Sequence, residues 1–206
     1  MFKFLHFISI FALIFLFSPA CVPIGVTTNV PGDRLSKKTY TSPGGEYTVK
    51  IPPLMRPGTR IQERQISPLA HGVAFADDFG RVYTIMISDN QKAGFTLDKI
   101  AKDFQVGEFL RVKKIIDTDR GSELRLMGIE KEGSPIVTRS NASGAWVTKK
   151  NDLIVARTIF LQGKYIYDIK AGVTPLFGVD KSESELMALA DRNLDGFLWG
   201  LVMNSR

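Results

Sequence analysis

The side chains with the most chemical meaning lie toward the two ends of the chain. Near the C-terminus, Asp191-Arg192-Asn193-Leu194-Asp195-Gly196 sets oxygen-bearing side chains at alternating positions, with a glycine after them. That spacing opens a calcium loop, in which the oxygens surround the ion and the glycine makes the sharp turn. The later positions do not follow. Trp199 and Val202 stand where the ninth and twelfth ligands belong, and neither offers a side-chain oxygen. Leu194, Phe197, Leu198 and Leu201 also continue the apolar face of Leu186 and Leu189. The expectation is a continuous helix with Asp191 and Asp195 on its wet side, leaving Asp191, Asn193 and Asp195 as a partial metal candidate only.

Nucleophilic and acid–base chemistry has little to draw on. Past the first twenty residues the only histidine is His71, and the only cysteine in the chain is Cys21. No Ser/His/Asp or Cys/His arrangement can be assembled from these, and zinc lacks its usual ligand set. Counting leaves a Ser/Lys pair open, but no motif surrounds one. His71 reads as a loop or strand-end residue. Asp77-Asp78 before Gly80 reads as turn chemistry rather than a cation site, and the sequon Asn141-Ala142-Ser143 as a turn with Gly144. Phe160, Tyr165, Tyr167, Phe197 and Trp199 have core spacing, with an apolar pocket as the alternative. The chain is therefore expected to be no enzyme and to need no cofactor.

The elements that position these residues follow from periodicity. Tyr47, Val49 and Ile51 alternate with Glu46, Thr48 and Lys50, the period of a strand with one buried face, and Pro52-Pro53 stops it. A second strand is expected over 60–67. Gly72 to Asp77 and Arg81 to Ser88 flank Asp78-Phe79-Gly80, a connection suited to a bulged hairpin. Thr96 caps a helix carrying Leu97, Ile100, Ala101 and Phe104 on one stripe, with Gly107 as its limit. Glu123 to Glu130 is expected as a strand, and 153–162 with 164–171 as a long hairpin turning at Gly163. Ile136-Val137-Thr138 and Ala145-Trp146-Val147 are candidate short strands around a polar loop. Ser182 and Glu185 form a capping box for the last helix, whose wide apolar face runs through Leu201. The expected fold class is α+β: a mostly antiparallel sheet covered by two or more helices, in a single domain. At 206 residues, two full domains would be cramped.

The N-terminal end carries a different kind of signal. Lys3 precedes an apolar run from Phe4 to Phe17, broken only by His6 and Ser9 and followed by Ser18-Pro19-Ala20-Cys21. This layout is that of a secretory signal peptide, with an apolar stretch shorter than the roughly 20 residues that cross a bilayer comfortably. A lone cysteine in an exported chain cannot close an internal disulfide, so it stays free, pairs between molecules or is modified. Its place directly after Ser18-Pro19-Ala20 resembles the lipobox of bacterial lipoproteins over residues 1–21. Ser18 stands three before the cysteine where that family usually has leucine. The resemblance implies acylation of Cys21 and attachment to the lipid bilayer; secretion after cleavage at Ala20 and an uncleaved anchor are the alternatives. Durable attachment follows from two or three acyl chains, at about 0.8 kcal/mol per buried methylene. With Val22 rather than aspartate after the cysteine, the family pattern implies the periplasmic face of the outer membrane if the host is Gram-negative.

The domain reading is thus 1–20 signal peptide, 21–43 flexible tether rich in Pro, Gly, Thr and Asn, and 44–206 globular domain. The opening Glu46-Tyr47-Thr48-Val49-Lys50-Ile51-Pro52, the hairpins and the closing helix together resemble the PsbP-like α/β/α sandwich over roughly 45–203. That fold hosts several non-enzymatic roles, so the resemblance transfers no function. The net charge of +6 comes from scattered pairs, Lys37-Lys38, Lys113-Lys114 and Lys149-Lys150, interleaved with acids, and no nucleic-acid partner is expected. The function expected is a membrane-tethered, non-catalytic interaction or assembly module of the bacterial cell envelope with an unidentified protein partner; the alternative is an envelope domain binding a small ligand or cation.

Overall fold

Strand pairing follows the alternation of apolar residues. The computed structural model describes residues 30, 35, 38–52, 60–76, 80–139, 146–175 and 180–204, with the side chains of all of these except 60 and 132–150. Seven strands form one antiparallel sheet in the order β3 (Arg60–Ser67), β4 (Ala70–Ala76), β5 (Val82–Asp89), β9 (Tyr165–Val173), β8 (Trp146–Gln162), β7 (Gly121–Arg139), β6 (Leu110–Thr118). A second sheet has β2 (Tyr47–Lys50) between β1 (Thr39–Thr41) and β10 (Leu201–Met203). Two helices complete the elements: α1 (Leu97–Lys102) and α2 (Glu183–Leu198).

The inner face of the large sheet is filled. Tyr83, Ile85, Phe160, Tyr167 and Ile169 meet Leu186, Ala190, Leu194 and Phe197 of α2 in one buried cluster, which also takes in Tyr40, Tyr47 and Val49 of the small sheet. The Phe160 and Tyr167 rings stack with centroids 5.1 Å apart, and Phe197 packs against Tyr83 and Phe75. The core assignment therefore holds for Phe160, Tyr167 and Phe197, whereas Trp199 is 93% exposed. On the outer face, α1 packs Phe95, Ile100 and Phe104 over Leu124, Leu126 and Ile159.

The expected sheet covered by helices is incorrect. Strand accounts for 55% of the structure and helix for 17%, so the fold is dominated by sheet. The physical reason lies in what covers the inner face near β4 and β5: a second sheet, not a helix, with Tyr40 reaching Phe75 and Tyr47 reaching Tyr167. Two of its strands come from segments read otherwise. β1 falls within the stretch taken as tether, so folded chain begins before Gly44, and β10 takes Leu201 out of the helix face, since α2 ends at Leu198. On the outer face the only helix among the described residues is the six-residue α1.

Most other expectations are met in place. β3 spans 60–67, Gly163 turns the β8–β9 hairpin at φ 58°, Thr96 caps α1, and Ser182 and Glu185 form the capping box of α2. Helix α1 ends at Lys102, short of Gly107. The stretches around Ile136 and Trp146 are not separate strands but the far ends of β7 and β8. Strand β6 has no counterpart in the sequence reading: Lys113-Lys114 and Ile115-Ile116 break its alternation, and a register shift falls between Leu110 and Val112. The hairpin turn at Asp77-Asp78, the sequon at Asn141, the signal peptide and Cys21 lie outside the described residues.

Candidate functional site

Register alone builds the floor of a cleft on the outer face. Across four neighbouring strands, Thr84, Lys170, Arg157 and Leu126 stand in one row, because Thr84 pairs with Lys170, Lys170 with Arg157 and Arg157 with Leu126. The row on one side reads Met86, Asp168, Ile159, Leu124; the row on the other reads Val82, Gly172, Val155, Gly128. Directly paired residues share a face, so these rows form one surface. The two glycines of the third row are covered by neighbours, Gly172 by the Leu153 side chain and Gly128 by the Phe109 backbone.

The charges on this floor are matched. Arg157 grips Asp168 with two donors, Nε to Oδ1 at 2.7 Å and Nη2 to Oδ2, while Lys170 Nζ donates to Glu130 Oε2 at 2.6 Å. Burial works against the Arg157 guanidinium, but the charge and hydrogen bonds of Asp168, with the charge of Glu130, hold its pKa above the ordinary arginine value. The Arg157 guanidinium also lies 5.2 Å from the centre of the Phe104 ring, within cation–π range.

One wall is the segment 103–109 between α1 and β6. Lys113 Nζ holds it by donating to the carbonyls of Phe104 (2.8 Å) and Ala101 (3.3 Å), and Ile129 N donates to Phe109 O at 2.7 Å. Gly128 permits this approach: a Cβ there would lie 2.0 Å from Phe109 O. Phe104 is buried, and Val106 and Phe109 are exposed at the rim. The open cleft has a volume of about 820 Å³ and is bounded also by Leu110, Leu126, Met127, Ile129 and Val155. Its size is within the range of small-molecule sites. Within the lining, Asp168 and Glu130 are each bound to a cation, and Asp103, Glu108 and Lys131 add further charged groups.

The residues singled out as a partial calcium loop have another task. Asp191 and Asp195, one turn apart on α2, both accept from Arg125 of β7: Nη1 to Asp191 at 2.8 Å and Nη2 to Asp195 at 2.9 Å. The continuous helix is as expected, but its two carboxylates point to the sheet rather than to water alone. Glu123, fully buried beside Arg125, accepts from Thr158 (2.8 Å), Thr118 (3.0 Å) and Arg120 (2.8 Å). Asn193 lies within α2 between the two aspartates and makes no part of this cluster. Among the described residues no group of three or more His, Cys, Asp or Glu is placed to hold a metal.

His71 lies at the start of β4, the strand-end place among those expected, with Nε2 3.6 Å from Glu46 Oε2 and no hydrogen bond to that nitrogen. Burial alone would raise the Glu46 pKa. Hydrogen bonds from Ser42 and from backbone amides, with the charge of His71, carry it below the usual value instead. Nearby, burial followed by the charge of Glu46 pushes the Tyr167 phenol up to about 12.

The cleft residues Thr84, Arg157, Asp168 and Lys170 are missing from the sequence reading. Their signal was present as polar residues inside apolar strands, with Asp168 and Lys170 alternating against Tyr167 and Ile169. Alternation reports that such residues face away from the core; it does not report that three strands bring them together.

No family model matches the chain, and no curated protein matches it. Among solved structures it is similar to the solution structure of cyanobacterial PsbP (CyanoP) from Synechocystis sp. PCC 6803, at a TM-score of 0.48 and 11% identity over 89% of this chain and 100% of that one. The likeness is one of fold and lends no role to any residue.

Proposed function

We propose that this chain is a non-catalytic binding module of the bacterial cell envelope, held at the membrane through acylated Cys21, which takes a neutral, largely apolar group into the outer-face cleft. The observation that carries the reading is the charge pairing on the cleft floor. Both floor cations, Arg157 and Lys170, hold a carboxylate beside largely apolar surface, and the other charged lining residues, Asp103, Glu108 and Lys131, belong to the wall and to β7 beyond the floor. An ionic ligand seated on the floor would have to break a partly buried pair and leave one member alone, which costs several kcal/mol. An apolar group needs no such exchange and gains roughly 25 cal/mol for each Å² removed from water.

The test is titration of the full chain with an uncharged fluorescent apolar probe. Saturable binding is expected, and it should be lost in Val155→Trp, which puts a much larger side chain at a position lining the cleft. Binding of equal strength in that variant, with its fold intact by circular dichroism, would show that the probe sits elsewhere and the cleft reading is wrong. The membrane address is tested separately by the mass of the mature N-terminus: an acylated Cys21 supports it, and an unmodified one removes it.

A further inference from the structure

Strands β7 and β8 run well past their neighbours. β6 stops pairing with β7 at Gly128 and β9 stops pairing with β8 at Ile154, yet β7 and β8 remain paired from Ser134 with Asn151 to Arg139 with Trp146. Among the described residues, this outer part pairs only with itself. Six residues per strand make roughly 20 Å of two-stranded ribbon, a structure of marginal stability in water without something to lie against. The register shift between Glu130 and Ser134 separates it from the sheet proper.

Composition indicates what it lies against. From Gly133 to Asn151, between Glu132 and Asp152, the sequence contains Arg139, Lys149 and Lys150 and no acidic residue. Register places Arg139 beside Trp146 and Lys150 beside Pro135 on one face, and Lys149 beside Ile136 on the other. Tryptophan favours the boundary between lipid and water, and basic residues near an anionic leaflet each gain about 1 kcal/mol. We infer that the outer part of the β7–β8 ribbon is a contact for an anionic phospholipid surface. The inference rests on the membrane address proposed above and not on the cleft. The ribbon would then hold the domain against the bilayer to which Cys21 tethers it, with the mouth of the cleft near its base at Glu130 and Lys131.

The chain has two tryptophans, and Trp199 is almost wholly exposed, so Trp199→Phe leaves Trp146 as the only reporter at little structural cost. The experiment is Trp146 fluorescence of this full chain reconstituted into vesicles of phosphatidylcholine alone or mixed with phosphatidylglycerol, with brominated lipid and aqueous iodide as quenchers. A blue shift and quenching by brominated lipid are expected only with phosphatidylglycerol, and both should reverse at high salt as charges are screened. Both should also vanish when Arg139→Glu, Lys149→Glu and Lys150→Glu are combined. The salt reversal needs no further variant, so a misfolded triple mutant would not rescue the idea. Iodide quenching that is equal in both vesicle types overturns it. A blue shift that depends on protein concentration without anionic lipid assigns the ribbon to a second copy, and one produced by an oligonucleotide alone assigns it to nucleic acid; either result overturns the lipid contact. Apolar probe binding in the same samples reports on the cleft independently.

Discussion

Arg125→Met is the most informative single change in the core. Arg125 is 5% exposed and reaches Asp191, 30% exposed, Asp195, 61% exposed, and Glu123, fully buried at 3.9 Å. The Asp195 contact is mostly in solvent and contributes about 0–1 kcal/mol. The Asp191 contact is partly buried and charge-assisted, about 1.5–3 kcal/mol. Glu123 keeps three hydrogen bonds without Arg125 but loses a neighbouring cation, while the methionine recovers some apolar burial. The expected loss is about 2–4 kcal/mol, and at about 3 °C per kcal/mol for a domain of this size the melting midpoint falls by roughly 6–12 °C. Urea unfolding of wild type, Arg125→Met, Asp191→Asn and the double variant closes a mutant cycle. Its coupling energy should exceed about 1 kcal/mol, and the matching cycle with Asp195 should give less. Calcium should leave the wild-type midpoint unmoved, because the guanidinium already occupies both carboxylates. A stable Arg125→Met with no coupling to Asp191, or a calcium-dependent rise in the midpoint, refutes the reasoning.

Three further outcomes are expected. Gly128→Ala should destabilise by about 1–3 kcal/mol and weaken apolar probe binding, because its Cβ drives Phe109 and the 103–109 wall outward; urea unfolding and the probe titration check it. Ser182→Ala should cost about 1 kcal/mol in the same unfolding assay, since it removes the acceptor for Glu185 N at the start of α2. Glu46 has a lower pKa folded than its ordinary 4.5, so the unfolded chain binds the proton more readily. Its contribution is present above about pH 4.5 and is lost as pH falls through the folded value; Glu46→Gln should flatten that part of a stability-against-pH curve.

What could be read from the chain depended on whether a residue's role is set within a few neighbours. The capping box at Ser182 and Glu185, the turn at Gly163 and the alternation of Tyr47 with Val49 are local, and each appears where expected. The small sheet is not local. β2 pairs with β1 nearby, but its other partner is β10, some 150 residues away, and three residues of strand leave too little period to detect. Leu201 fits the helix face as well as it fits a strand, and only the end of α2 at Leu198 decides between them. The edge strand β6 failed for another reason: an edge carries charges that discourage further pairing, and those charges erase the alternation that would reveal it.

The same logic explains why the candidate site was the least legible part. Every strand of the large sheet has two faces, and the inner one must be apolar and well filled to overcome the entropy of ordering the chain. Outer-face positions over the cleft are free of that demand, so they can hold Thr84, Arg157, Asp168 and Lys170, or no side chain at all at Gly128. These residues lie on four strands drawn from between positions 84 and 170, and only the order β5-β9-β8-β7 makes them neighbours. Ion pairing then follows from position: Lys170 stands opposite Arg157, an unfavourable like-charge pair unless each finds an acid within reach. Asp168 and Glu130 supply those acids from the next row and the next strand but one. A floor that has to be neutralised internally resists an ionic ligand, and this ties the proposed preference for an apolar group to the topology of the sheet.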